Sequence, residues 1–296
     1  MQKYRTRVAC TALLAVALAA LGLAGSASAK LVGNYTKFVN CAYTNVEARK
    51  CIYSTTNSGE VVLGKKVVPI EKAVVLQGAY TAADETGFAK FIGATNGITL
   101  SKAAQNVPGG LAGIVPEASS PFLVKALIKF FFENKLTGLT STLELAKPAS
   151  EIRISENNLA GELGVALKLP VMVHLENPFL GKSCYVGSSG SPITWELTTG
   201  TTSPPLPNKA ITGTVGEAEF LEEGRILETK GTTLVDNAWA APSASGCGGL
   251  LSFILDPIVN TSASLPAAAG KNTAVLVNNI FIGSTAAVRK NDAENP

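Results

Sequence analysis

Short runs of β-branched residues, separated by Gly, Pro, Ser and Thr, recur through most of this chain and restrict it to a small set of folds. Glu60–Leu63, Lys66–Ile70 and Ala73–Gln77 are rich in Val and Ile, and Gly64 and Pro69 punctuate them as in a hairpin or meander. Further runs of this kind are Thr140–Ala146, Glu151–Ser155, Gly164–Glu176, Ile193–Thr198, Gly213–Leu221, Arg225–Lys230, Thr232–Asn237 and Thr273–Ile282. Many short strands with such turns favour antiparallel pairing over alternating βαβ units. The expected class is mainly β: an antiparallel sandwich-like core with a helical insertion.

The insertion is Pro121–Leu136. A Ser-Ser-Pro start suits an N-cap followed by Pro at the first helical position, and Gly138 stops the run. Lys125, Lys129 and Glu133 form one narrow polar stripe, and apolar residues, Phe130, Phe131 and Phe132 among them, fill the rest. At ~1.5 Å per residue the segment reaches about 24 Å, short of the ~30 Å of a bilayer core. It reads as a core helix, as the wall of an apolar ligand or partner site, or as a membrane-surface contact. A second helix is expected over Gly249–Thr261, with Pro257 kinking or ending it. Thr198–Lys209, with three prolines, reads as an extended loop.

Residues 1–29 have the make-up of an export signal. Lys3, Arg5 and Arg7 precede an unbroken small and apolar run from Val8 to Gly25, and Ala27-Ser28-Ala29 is an A-x-A cleavage site. Cleavage would leave residues 30–296 as one exported β-rich domain, with sub-units 30–97 and 137–296 joined by a helical segment at 100–136. It would also leave no transmembrane anchor. Of 25 basic and 22 acidic side chains, three basic ones lie in the signal, so the remainder is balanced at 22 against 22. A neutral chain without basic–aromatic runs argues against nucleic acid as a partner.

Four cysteines follow the signal: Cys41, Cys51, Cys184 and Cys247. An even set in an exported chain points to two disulfides, and three pairings are open. Cys41–Cys51 with Cys184–Cys247 is favoured, because each pair then falls within one half of the chain. A chain-entropy estimate for loops of this size is about 3 and about 4 kcal/mol. The C-x₉-C and C-x₆₂-C spacings, with a single histidine, do not fit a zinc site.

Candidates for chemistry are few. His174 is the only histidine. Strand alternation puts it beside Met172 and Glu176, with Val171, Val173 and Leu175 on the opposite face, so Glu176 could orient the imidazole. No G-x-S-x-G elbow supplies a serine; Gly187-Ser188-Ser189-Gly190 reads as a turn. Glu217 and Glu219 would share a strand face about 7 Å apart, within the range of an inverting glycosidase. Neither tryptophan, Trp195 or Trp239, adjoins them in sequence. Nucleotide, metal and calcium motifs are missing, so no catalytic residue, cofactor or metal ligand is assigned. Gly246-Cys247-Gly248-Gly249 reads as a disulfide-bearing turn rather than a phosphate cradle.

Cys51–Gly78, Pro170–Lys209 and Ser245–Gly249 carry a likeness, with Asn177-Pro178-Phe179-Leu180-Gly181 through Cys184-Tyr185 the most distinctive piece. In these residues the chain resembles a group of exported proteins of high-GC Gram-positive (actinobacterial) bacteria to which no activity is attached. The likeness runs from the signal to the C-terminus and implies export and disulfides. The functional expectation is a non-enzymatic structural or binding protein of the cell surface or surroundings. The alternatives are a binder of apolar ligands or a membrane surface, through Pro121–Leu136 and Leu250–Ile258, and a secreted hydrolase using His174 or Glu217 with Glu219.

Overall fold

The structure, a computed structural model, describes residues 30–110 and 138–295. The segment expected as an export signal, the helix expected over Pro121–Leu136 and Phe130, Phe131 and Phe132 within it lie outside these residues. The described chain is mainly β and antiparallel, as expected. Its strands are β1 (Lys50–Leu63), β2 (Lys66–Pro69), β3 (Val74–Ala83), β4 (Ala89–Gly93), β5 (Gln105–Asn106), β6 (Thr140–Leu145) and β7 (Arg153–Ile154). There follow β8 (Leu167–Glu176), β9 (Tyr185–Val186), β10 (Ile193–Leu197), β11 (Glu217–Leu221), β12 (Ile226–Asp236), β13 (Ala244–Ser245) and β14 (Thr273–Ser284). Helices α1 (Glu156–Gly161), α2 (Ser252–Ala263) and α3 (Thr285–Glu294) complete the main elements.

All these strands join one sheet in the order β11-β12-β14-β1-β3-β4-β7-β8-β6-β5, and β10 and β9 also pair with β8. Its walls face each other across one core, and hydrogen bonds close it into a ring. Thr198, just after β10, donates to Val235 O of β12 at 3.0 Å, and Val235 N–H returns the bond at 2.9 Å. Beside this bridge, the buried Asp236 carboxylate accepts from Glu196 N–H at 2.7 Å and Ala238 N–H at 2.9 Å. Residues 30–97 and 137–296 thus contribute to the same sheet, since β1 pairs with both β3 and β14.

Two strands are longer than their sequence suggests. β12 runs unbroken through the stretch expected as two strands, Arg225–Lys230 and Thr232–Asn237. A bulge between Thr229 and Thr232 absorbs Gly231, whose φ of 73° a side chain would resist. β1 likewise bulges between Thr56 and Ser58. The extra residue exchanges the faces: Ile52 and Leu63 both belong to the interior core, although one is even-numbered and the other odd. In the expected helical stretch 100–136, the described residues 100–110 are not helical: Leu100 bridges Leu76, and β5 pairs with β6. Pro257 does not end α2, which continues to Ala263. The carbonyl it deprives of a helical donor belongs to Phe253 in the exposed first turn.

A second, smaller core covers the outer face of β1, β3 and β14. Tyr35, Phe38, Cys51, Ala79, Phe281 and Val288 meet there, beneath a 3₁₀ turn at Gly33–Phe38 and α3. The Phe38 ring lies so close to the backbone that a Cβ on Gly283 would approach it to 2.8 Å. Cys41–Cys51 staples this N-terminal cover to β1, and Cys184–Cys247 ties the approach to β9 to the approach to α2. Both are the favoured pairings, and both suit an oxidising, non-cytoplasmic environment.

Asp236→Ala should cost about 2–4 kcal/mol in denaturant unfolding, because two amides at the ring closure lose their acceptor. Burial outweighs those donors and raises the Asp236 carboxyl above its ordinary 3.8. A raised folded value means that its contribution is fully present below the unfolded value and is lost as pH rises through the folded one. The stability gap between wild type and Asp236→Ala should therefore narrow as pH rises from the ordinary carboxyl value of 3.8 through the raised folded one.

Candidate functional site

The described residues do not fill the interior of the ring. Alternate residues point inward: Val74 and Leu76 from β3, Leu169 and Leu175 from β8, Trp195 and Leu197 from β10. With α2 and β6 they surround a cavity of about 110 Å³. A single water needs only ~10–15 Å³ by that measure. Val61, Val68, Ile70, Leu143 and Val173 line it and are only partly buried. Walls that are mostly aliphatic offer few polar partners to hold ordered water, so the cavity favours apolar occupants.

Three of the polar side chains of its lining, Thr56, Gln105 and Asn278, are engaged by the protein itself. Asn278 accepts from Thr56 Oγ1 at 2.7 Å and donates to Leu276 O at 2.8 Å and Thr232 O at 3.2 Å. The buried Gln105 amide accepts from Glu71 and Lys72 N–H and donates to Lys72 O and Ala103 O, all within 3.1 Å. It thereby ties β5 to the turn after β2. Among the described residues, Lys66 is the one charged side chain of the lining. Burial, together with the charge of Lys65, lowers its ammonium pKa from the usual lysine value.

His174 lies on the other side of this wall. Val173 and Leu175 face the cavity, so the imidazole between them points outward, as alternation requires. Its Nδ1 is 3.6 Å from Glu144 Oε1 and 3.9 Å from Glu176 Oε1. Tyr185 stacks on the ring with centroids 4.4 Å apart, and Nε2 is buried without a hydrogen-bond partner among the described residues. Glu144 also accepts from Lys102 at 2.9 Å, a bond that raises the lysine pKa. Glu176 accepts from Thr142. The structure thus joins His174 to Glu176, and adds Glu144, which its distance in sequence concealed.

Glu217 and Glu219 lie elsewhere, on the exposed strand β11. Glu219 pairs with Lys230 at 3.2 Å, and Lys230 also meets Glu228 at 3.4 Å. Trp195 and Trp239 pack edge-to-face with centroids 6.0 Å apart, and Trp195 lines the cavity, so the tryptophans and this glutamate pair belong to different places. Among the described residues no three His, Cys, Asp or Glu side chains gather to hold a metal. The glycine turn at Cys247 gives its Gly246 and Cys247 amides to Asp256, at 3.2 and 2.7 Å. Those amides are therefore already engaged by a carboxylate.

Helix α2 has two unlike ends. Val259 and Ala263 line the cavity, whereas near its start Leu250 is 97% and Phe253 74% exposed. No helix of the described residues is long and apolar enough to cross a membrane. No family model, curated protein or solved structure matches the chain.

Neither Lys66 nor Gln105 stands out in the sequence by residue type. The signal for Lys66 was present in Lys66–Ile70, where alternation places it on one face with Val68 and Ile70. Gln105→Leu should lower the unfolding free energy by about 2–4 kcal/mol, since two amides and two carbonyls lose a buried partner. Guanidinium titration monitored by tryptophan fluorescence measures it.

Proposed function

We propose that the protein is an exported binder of apolar ligands and holds them inside its ring of strands. The observation that carries this reading is the cavity: mostly aliphatic walls, Gln105 and Asn278 engaged by the protein itself, and a volume far beyond a packing void. Interiors are normally packed to crystal-like density, so an unfilled apolar space forgoes contacts that a ligand would restore. Each methylene moved there from water contributes about 0.8 kcal/mol. Export is supported by the A-x-A signal, the likeness to exported actinobacterial proteins and the two disulfides.

The delipidated protein should brighten N-phenyl-1-naphthylamine, a neutral apolar fluorophore, with saturable binding. Val173→Trp, which fills the cavity, should weaken that binding about tenfold or more while strand content is retained. Leu143→Phe serves as the milder variant. Failure of the wild type to bind, or equal binding by a folded cavity-filled variant, sinks the proposal.

Leu250 and Phe253 favour a second reading, contact with a membrane surface, because exposed large apolar side chains partition into the interfacial layer. Vesicles of phosphatidylcholine and phosphatidylglycerol should then co-sediment the protein, and Leu250→Ser with Phe253→Ser should abolish it. Sedimentation unchanged by the pair of substitutions would discard this contact.

A further inference from the structure

We infer that the ligand of the cavity is an amphiphile with an aliphatic tail and one anionic head group, seated with its head against the Lys66 ammonium. This rests on the cavity being a ligand site and adds the class of ligand. Lys50, Lys102, Lys168 and Lys230 each meet a glutamate. Among the described residues Lys66 is the only charge that the cavity wall carries, and it has no carboxylate within ion-pair distance. A cation on an apolar wall is costly unless an anion compensates it.

Its position is well defined. The tip of the β1–β2 hairpin is tied to the end of α2, with Lys65 N–H donating to Ala263 O at 3.0 Å and Gly64 N–H to Asn272 Oδ1 at 2.9 Å. Lys66 follows this tip directly, and Leu63, its β1 partner, lines the cavity with it. From Lys66 the same strand face continues through Val68 and then Ile70, both on the cavity wall. A head group at Lys66 thus sends its tail along aliphatic side chains. An anion there would also offset the two influences that disfavour the charged ammonium, lost water and the nearby Lys65.

The test compares cis-parinaric acid with its methyl ester, which share a tail and differ in head charge, through energy transfer from protein tryptophan. Wild type should bind the acid about tenfold or more tightly than the ester, the scale of a charge-assisted hydrogen bond. Lys66→Met should bring the two affinities together by weakening the acid alone, whereas Lys65→Met should keep most of the preference. Competition by lauric acid and by dodecyl phosphate then separates a carboxylate head from a phosphate one. Equal binding of acid and ester by wild type, or a preference that survives Lys66→Met, overturns the inference while the cavity reading stands. If neither probe nor N-phenyl-1-naphthylamine binds, both fall together.

Discussion

The pair of backbone hydrogen bonds between Thr198 and Val235, with Asp236 accepting two amides beside it, turns the sheet into an enclosure. Without it the path from β12 through β14, β1, β3, β4, β7 and β8 to β10 would be an open sheet with one apolar face toward water. With it, the inward faces of those strands confront one another. A ring of about eight strands is wide enough either to be filled by side chains or to hold one small ligand. Here the inward residues are mainly Val and Leu with Ser54, Thr56 and Ser141 among them, and they leave the centre open.

The cost of such a hollow interior is lost packing, and stabilising elements lie around it. The smaller core, the N-terminal 3₁₀ turn and α3 cover the outside of β1, β3 and β14, and Cys41–Cys51 fixes the first of them. Cys184–Cys247 and the Asp256 carboxylate brace the approach to α2, whose later turns form part of the cavity wall. Gln105 seals the margin between β5 and the turn after β2. Gln105 and Asn278 of the lining thus serve to hold the wall together, whereas Lys66 has no carboxylate partner among the described residues.

Much of the strand pattern was legible because a half-buried strand repeats every two residues. Most expected strands occur, including β8 with its two faces correctly assigned. Lys50–Gly59 was not legible, because its inward residues include Ser54 and Thr56 and a bulge then exchanges the faces. β12 read as two strands because Gly231 looks like a break in sequence, whereas in the sheet it is a bulge. The candidate site was less legible still. His174 and Glu176 share a face as alternation predicts, but that face looks away from the cavity, and Glu144 joins them only through the β6–β8 pairing. Glu217 and Glu219 lie on an exposed strand, where Glu219 meets Lys230.

By itself the sequence determined what depends on local spacing: the strand class, the A-x-A signal pattern, the even set of cysteines and the charge balance. Residue type and period report those directly, since they reflect which side of a strand or which compartment a residue suits. Ring closure, the empty interior and the isolation of Lys66 were decided only by the tertiary structure. Each depends on residues far apart in the chain, such as Thr198 with Val235 or Gln105 with Lys72, and on volume left unfilled between them. No local pattern encodes a space.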